Sequence, residues 1–398
     1  MIGSLFFLFG YLLLLVFAPY AHPLSIPQAW LFILGLYGLI ALVIAAQNYA
    51  PLAQRRRYFL TQLELMLFAA LAIFLFGAYK IFENLPFSET LFISLFLLFY
   101  FLALALIKNG KELMRFLFPF PLPLLFFLLF LEAWEYLSWP YSFVFLILLL
   151  FFFLFYFPPL FIAFWGSEPL EDSPLKQRLE KLCKQANFRY AGMRKWLLFP
   201  QMVTAGIIGI FPRFRYVLFT EKALEKLSEE ELEAVLAHEI AHSAHYHLLF
   251  YPFIILGLPT LLALISPLIQ LLIDAIAPFF SPLLIAFLPF LFFLLFSYLY
   301  IRTIFGFFSR LFEREADLGV FRLSLNPLVM IQALKDLALY NEIPLTQPNW
   351  HHFSIQERIE FLKKVINNPD LISQHHRKVK IALSFYVLFL LLLFSLFL

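Results

Sequence analysis

Charged residues are scarce in this chain, 14% of 398, and that scarcity excludes the two or three soluble domains its length would otherwise allow. Cysteine is nearly absent. Cys183 is the only one, so no intrachain disulfide exists and the fold does not depend on an oxidising compartment; on its helix the residue reads as half-buried. Basic excess is missing too: a formal net charge of +3 is too small and too dispersed for a nucleic-acid-binding surface. The first apolar run lacks a basic flank and a small-residue cleavage site, and is expected to be a retained span.

Apolar side chains fill the place of the missing charge, at 63% of residues. Runs of about 20 such residues, enough for a helix to cross a bilayer, lie near 2–19, 27–46, 60–79, 87–107, 116–136, 141–163, 249–272, 278–301 and 381–398. The prolines at 117–123 would let the fifth run re-enter instead of crossing. The expected architecture is mainly α: a polytopic helical membrane protein of about nine spans. Two polar segments, 166–247 and 304–379, flank the hairpin 248–303; residues 1–165 form an N-terminal membrane domain, and 380–398 a last span.

Lysine and arginine in short loops stay on the cytoplasmic side. With nine spans, Arg55, Arg56, Arg57, Lys108, Lys111 and Arg115 share the side of both polar segments, and only Lys80 opposes them. Both segments are therefore expected to face the cytoplasm as one domain. They hold every histidine except His22. Glu64, two turns into the third span, hints at a wet interior, but pairing with Arg57 or contact with interfacial water is the favoured explanation.

Within the first polar segment, 173–187 reads as an amphipathic helix, 202–210 and 214–219 as a β-hairpin turning at Phe211-Pro212-Arg213, and 221–227 as a short helix. Ser228 followed by three glutamates is a capping-box start. The helix it opens runs through ELEAVLAHEIAHSAHYH and would continue toward the seventh span. On it His238 and His242 are four residues apart and share a face, with Glu239 beside them: the spacing that lets two imidazoles reach one zinc ion while a carboxylate acts as base. The plain alternative is a pair of interfacial histidines.

A catalytic zinc needs a third protein ligand. His245 lies two turns from His238, roughly 10 Å along the axis, and His247 would point elsewhere. Asp274 falls on the far side of the membrane. The first cytoplasmic acids after the hairpin are Glu313, Glu315 and Asp317. Glu313 and Asp317 share a face and Glu315 opposes them, so Glu313 is the expected third ligand and Asp317 the acceptor for a ligand histidine's free N–H; Glu315 or Asp317 would serve if Glu313 did not.

The runs EELEAVLAHEIAH, Glu313 to Asp317, and HFSIQERI resemble the integral-membrane zinc metallopeptidases that include the type I CaaX prenyl endopeptidase and the HtpX-like stress proteases. The likeness covers about 166–365, and PLEDSPLKQRLEKL leans toward the prenyl endopeptidase. It implies a gluzincin-like zinc protease domain with a small β-hairpin or sheet, one Zn2+ on His238, His242 and Glu313, Glu239 as base, and His352 and Arg358 as substrate or oxyanion contacts. Phe353 stands where such proteins usually have proline, and Thr204 where they usually have asparagine. Thr204, Ala205, Gly206 and Gly209 lie on the strand along which a peptide substrate could add as a further strand. For His352 and Arg358 a helix cap and a surface cation are the plain alternatives.

The sequence thus leads to a metal-dependent membrane endopeptidase acting on prenylated C-termini or on damaged membrane proteins, in contact with lipid and with no nucleic-acid partner. A transporter or scaffold with a structural zinc domain is the other reading, and Glu239 speaks against it. Compact loops favour a bacterial inner membrane over a eukaryotic endomembrane.

Overall fold

The computed structural model describes residues 154–197, 201–280, 295–347 and 352–395, with isolated helical residues between 141 and 152 and between 285 and 292. The spans expected between 2 and 136, and Glu64, lie outside the described residues. The chain divides into two units, one of residues 1–165 and 281–290, the other of 166–280 and 291–398. In the first, the described helix α1 (Phe157–Phe164) starts with prolines in its first turn, where a missing N–H costs no hydrogen bond.

The second unit is mostly helical around a small mixed sheet. Its strands are β1 (Ser167–Pro169), β2 (Gly192–Trp196), β3 (Ala205–Ile208) and β4 (Tyr216–Thr220), in the order β1-β2-β4-β3. β3 and β4 form the expected antiparallel hairpin, with Gly206 opposite Leu218 and a 3-10 turn at Pro212–Phe214. The hairpin is not isolated: β4 also pairs with β2 in parallel, and β2 with β1 antiparallel. The three residues of β1 and the mixed polar pattern of β2 give no periodic signal, which is why only two of the four strands are legible locally.

Helices α2 (Pro174–Gln185) and α3 (Glu221–Lys226) match the expected amphipathic and short helices, each N-capped by a hydroxyl, Ser173 and Thr220. α4 (Glu229–Ala244) begins at the expected capping box: Ser228 Oγ accepts from Glu231 N at 3.3 Å, and Ser228 N donates to Glu231 Oε2 at 2.7 Å. It does not run on. Tyr246 adopts φ 59°, the left-handed region that non-glycine side chains seldom enter, and a new helix, α5 (His247–Ile276), starts after it. α5 is long and apolar enough to cross a membrane.

The chain continues through a helical stretch from 295, with a π-turn at Ile301–Phe305, into α6 (Gly306–Asp317), α7 (Gly319–Arg322), α8 (Pro327–Tyr340), α9 (Ile355–Asn367) and α10 (Asp370–Ser395). Among the described residues, two cores hold these elements. Leu179, Leu182, Phe219, Leu236, Leu334 and Leu362 belong to one, so both polar segments share it. Cys183 is fully buried there, at 1% exposure, rather than half-buried. Ile254, Phe308, Phe312, Leu383 and Tyr386 form the other, packing α5, α6 and α10 together.

Candidate metal centre and active site

The site forms where α4 meets α6. Their close approach depends on small residues: a Cβ added at Gly319, just past α6, would lie 2.5 Å from the Ala237 carbonyl oxygen and 2.9 Å from Ala241 Cβ. That contact holds the acidic end of α6 over the histidine face of α4. The 79-residue separation between His238 and Asp317 is thus bridged by helix packing alone.

Three donor atoms converge. His238 Nε2 and His242 Nε2 are 3.2 Å apart, and they lie 3.7 and 3.5 Å from the two Glu313 carboxylate oxygens. Ligands about 2.0–2.2 Å from a tetrahedral ion sit about 3.3–3.6 Å from one another, so this spacing fits one cation. All three side chains are buried.

The proton positions point the same way. Asp317 accepts from both ends of the Arg358 fork, Nε to Oδ2 at 2.9 Å and Nη2 to Oδ1 at 2.6 Å. Burial opposes its charge, yet Arg358 holds the Asp317 carboxyl below its ordinary range. An ionised carboxylate only accepts, so the Asp317 Oδ1 to His238 Nδ1 contact at 3.0 Å places the His238 proton on Nδ1. On the other side His247 Nε2 donates to Glu315 Oε2 at 2.9 Å, and the neutral His247 ring offers Nδ1 to His242 Nδ1 at 3.0 Å. Both Nε2 lone pairs then face each other beside a carboxylate. With both rings neutral that arrangement is repulsive, and a cation between them, a proton or a metal ion, relieves it.

The field around the three atoms is cation-attracting. Burial raises the cost of charging Glu313, but His242, His352 and Arg358 keep its carboxyl well below the usual range. Burial likewise works against a proton on His242, and Glu313 outweighs it, raising the His242 pKa. Glu239 differs: burial pushes its pKa up, with His238 and His242 only partly opposing. A carboxylate with raised proton affinity beside a metal position is suited to take a proton from water and release it.

His352 Nδ1 lies 3.3 Å from Glu313 Oε2 and is partly exposed, at the rim of the metal position. It is not a helix cap; Ser354 caps α9, with Glu357 completing a capping box. Nor is Arg358 a surface cation, being buried with its fork engaged by Asp317 and Nη1 3.6 Å from Glu313. Phe353, at the position of the usual proline, lies 3.6 Å beneath the Arg314 guanidinium. That cation–π contact anchors the His352 turn to α6.

β3 is an edge strand lying beside α4. A Cβ at Gly206 would meet nothing within 4 Å, leaving open space there. Thr204 N donates to Thr220 Oγ1, and Thr220 Oγ1 donates back to the Thr204 carbonyl. Asn341 clamps the preceding residue, accepting from Val203 N at 2.9 Å and donating to Val203 O at 2.8 Å. Gly209 departs from the expectation that it admits substrate. Its φ is +97°, and a Cβ would lie 2.1 Å from the Phe214 carbonyl oxygen, so it serves the turn.

His247 departs from expectation as well. The left-handed step at Tyr246 turns it back onto His242, whereas a continuous helix would point it away. The contiguous HSAHYH was the available signal, but it could be read only with the break in place.

Residues 169–366 match the model of Peptidase family M48. No curated protein matches the chain in sequence. Among solved structures, the crystal structure of S. mikatae Ste24p superposes with a TM-score of 0.53 at 17% identity, covering 85% of this chain and 99% of that one. A likeness at that identity speaks to the fold alone.

Proposed function

From the premise that the chain belongs, through residues 169–366, to Peptidase family M48 and is a metalloendopeptidase, we propose a zinc-dependent membrane enzyme with His238, His242 and Glu313 as ligands and Glu239 as base. The observation that carries this is the convergence of three buried donors at 3.2–3.7 Å beside Glu239. Zinc bound there supplies Lewis acidity, lowering the pKa of a water toward about 7 and polarising a carbonyl.

Glu239 takes the proton of the attacking water and passes it to the leaving amine. Asp317 holds His238 in the tautomer that leaves Nε2 free, and His247 does the same for His242. Arg358 acts through Asp317, because its fork is already used. His352, whose ring lies at the rim beside Glu313, would donate to the tetrahedral oxyanion. A peptide added along the edge of β3 would have its backbone held in register beside α4.

The membrane setting rests on α5 and on the apolar composition. It includes about nine spans and a cytoplasm-facing site, from hydropathy and Lys/Arg placement, and a bacterial inner membrane, from the compact loops. Substrates are prenylated C-termini or damaged membrane proteins.

Purified protein in detergent would be incubated with a farnesylated C-a-a-X peptide and with an unfolded membrane protein, with and without chelator. Cleavage of at least one should vanish with chelator and fall by about 10²–10⁴-fold in Glu239→Gln, the usual range for a lost general base. Equal cleavage by wild type and Glu239→Gln would sink the mechanism. Metal bound without cleavage of either substrate would favour the scaffold reading.

A further inference from the structure

On the face of α6 opposite Glu313, a second group of donors converges, and the mechanism above does not use it as a metal site. Glu315 is buried, with a side chain 3% exposed. Its Oε1 accepts from His376 Nδ1 at 2.5 Å, a hydrogen bond that a bound cation would replace, and lies 3.7 Å from His245 Nδ1. One ligand atom from each of the three residues falls within 4.8 Å of the others. The His245 and His376 rings stack with centroids 4.8 Å apart, so both imidazoles approach the carboxylate from the same side. The three residues come from separate places: the α4–α5 junction, α6 and α10.

Two imidazoles and a carboxylate are the donor set of an open zinc-type site. Room for further ligands exists. A cavity of about 350 Å³ adjoins the cluster, lined by His245, His376, Phe321, Arg322 and Ile372 among others. His245 and His376 are partly exposed toward solvent, at 27% and 28% of their side chains, while the carboxylate is buried. Arg322 on the wall works against a hard cation held by charge alone, such as Mg2+ or Ca2+. Imidazole nitrogens favour a transition ion instead.

We propose that His245, Glu315 and His376 form a second site for a divalent transition cation of the zinc type, its open positions facing this cavity. The site ties α10 to the α4–α5 break and to α6. It also touches the first site: Glu315 Oε2 accepts from His247, and His247 accepts from His242. The cation would hold Glu315 in the orientation that keeps this relay, and with it the His242 tautomer, in place.

Metal-free full-length protein in detergent would be titrated with Co2+, followed by its visible absorption. Two equivalents should bind. His245→Asn and His376→Asn should each remove one class and keep the other, whereas His242→Asn should keep the second class, so that failure of the first site is read separately. In unaltered protein, carbethoxylation mapped by mass spectrometry should lose His245 and His376 as targets only between the first and second equivalents, a measurement that needs no variant to fold. A single equivalent in the unaltered protein, two equivalents retained in both His245→Asn and His376→Asn, or undiminished labelling of His245 and His376 would overturn the proposal.

Discussion

Replacing Asp317 by asparagine changes no volume but removes a charge that two partners share. Asp317 accepts from Arg358 Nε at 2.9 Å, Arg358 Nη2 at 2.6 Å and His238 Nδ1 at 3.0 Å, and it is fully buried. An amide has one acceptor oxygen and one donor NH2. If the oxygen faces His238, the NH2 opposes an Arg358 N–H; if it is turned, the NH2 opposes His238 Nδ1–H. Either way a buried guanidinium loses its anion, which costs roughly 3–5 kcal/mol. The histidine also loses the group fixing its tautomer, which lowers metal affinity by about 10–100-fold. Denaturant unfolding of the metal-free protein reads the first quantity, and chelator competition for Zn2+ the second. Arg358→Lys keeps the charge and loses the fork, so its metal affinity should fall less. An Asp317→Asn protein that binds zinc as tightly as the wild type would refute the positioning argument, because the same oxygen serves both partners.

Other expectations follow from contacts outside the metal ligands. Gly319→Ala should destabilise by roughly 1–3 kcal/mol, as overpacking does, since its Cβ would press on the Ala237 carbonyl; thermal unfolding with zinc retention measured alongside should show both falling. Asn341→Leu removes both hydrogen bonds to Val203, costing about 1–3 kcal/mol for the groups left unpaired. Because Val203 leads into β3, KM should rise more than kcat falls; a kcat loss at unchanged KM would argue against substrate lying along that strand. Glu315 gives the pH dependence: burial opposes its charge, but His247 and His376 lower its pKa from the ordinary value to about 2. A depressed carboxylate contributes stability that is present above its unfolded pKa and lost as pH falls through its folded pKa. Metal-free protein should therefore lose stability between about pH 4.5 and pH 2, and Glu315→Gln should flatten that slope by up to about one proton, roughly 1.4 kcal/mol per pH unit. An unchanged slope would mean that the Glu315 contacts do not hold in solution.

Much of the region around the site was legible because it is local. The HEIAH spacing, the Ser228 capping box, α2, α3 and the β3–β4 hairpin all follow from patterns within a few residues, where helix and strand periods act directly. Glu313 and Asp317 were reachable by a coarser argument: an apolar hairpin returns the chain to its starting side, and four-residue spacing sets two acids on one face. Arg358 was legible as a candidate, but not as the buried fork on Asp317, since nothing near residue 358 states what lies 41 positions earlier.

The opposite case is His245, His247 and His376. An unbroken helical period sends His247 away from His242, and only the left-handed step at Tyr246 reverses it. That step is a conformation tyrosine does not prefer, sustained where α5 packs against α6 and α10 and therefore invisible to local propensity. So the sequence by itself determined the apolar character, the α4 helix and the identity of the donors on its face. Tertiary packing decided which distant acids meet those donors, which histidine stands behind them, and that a second set gathers on the far side of α6. The physical reason is range: periodicity acts over one or two turns, whereas contacts 41 to 79 residues apart exist only once the Gly319 contact and the two cores have brought the helices together.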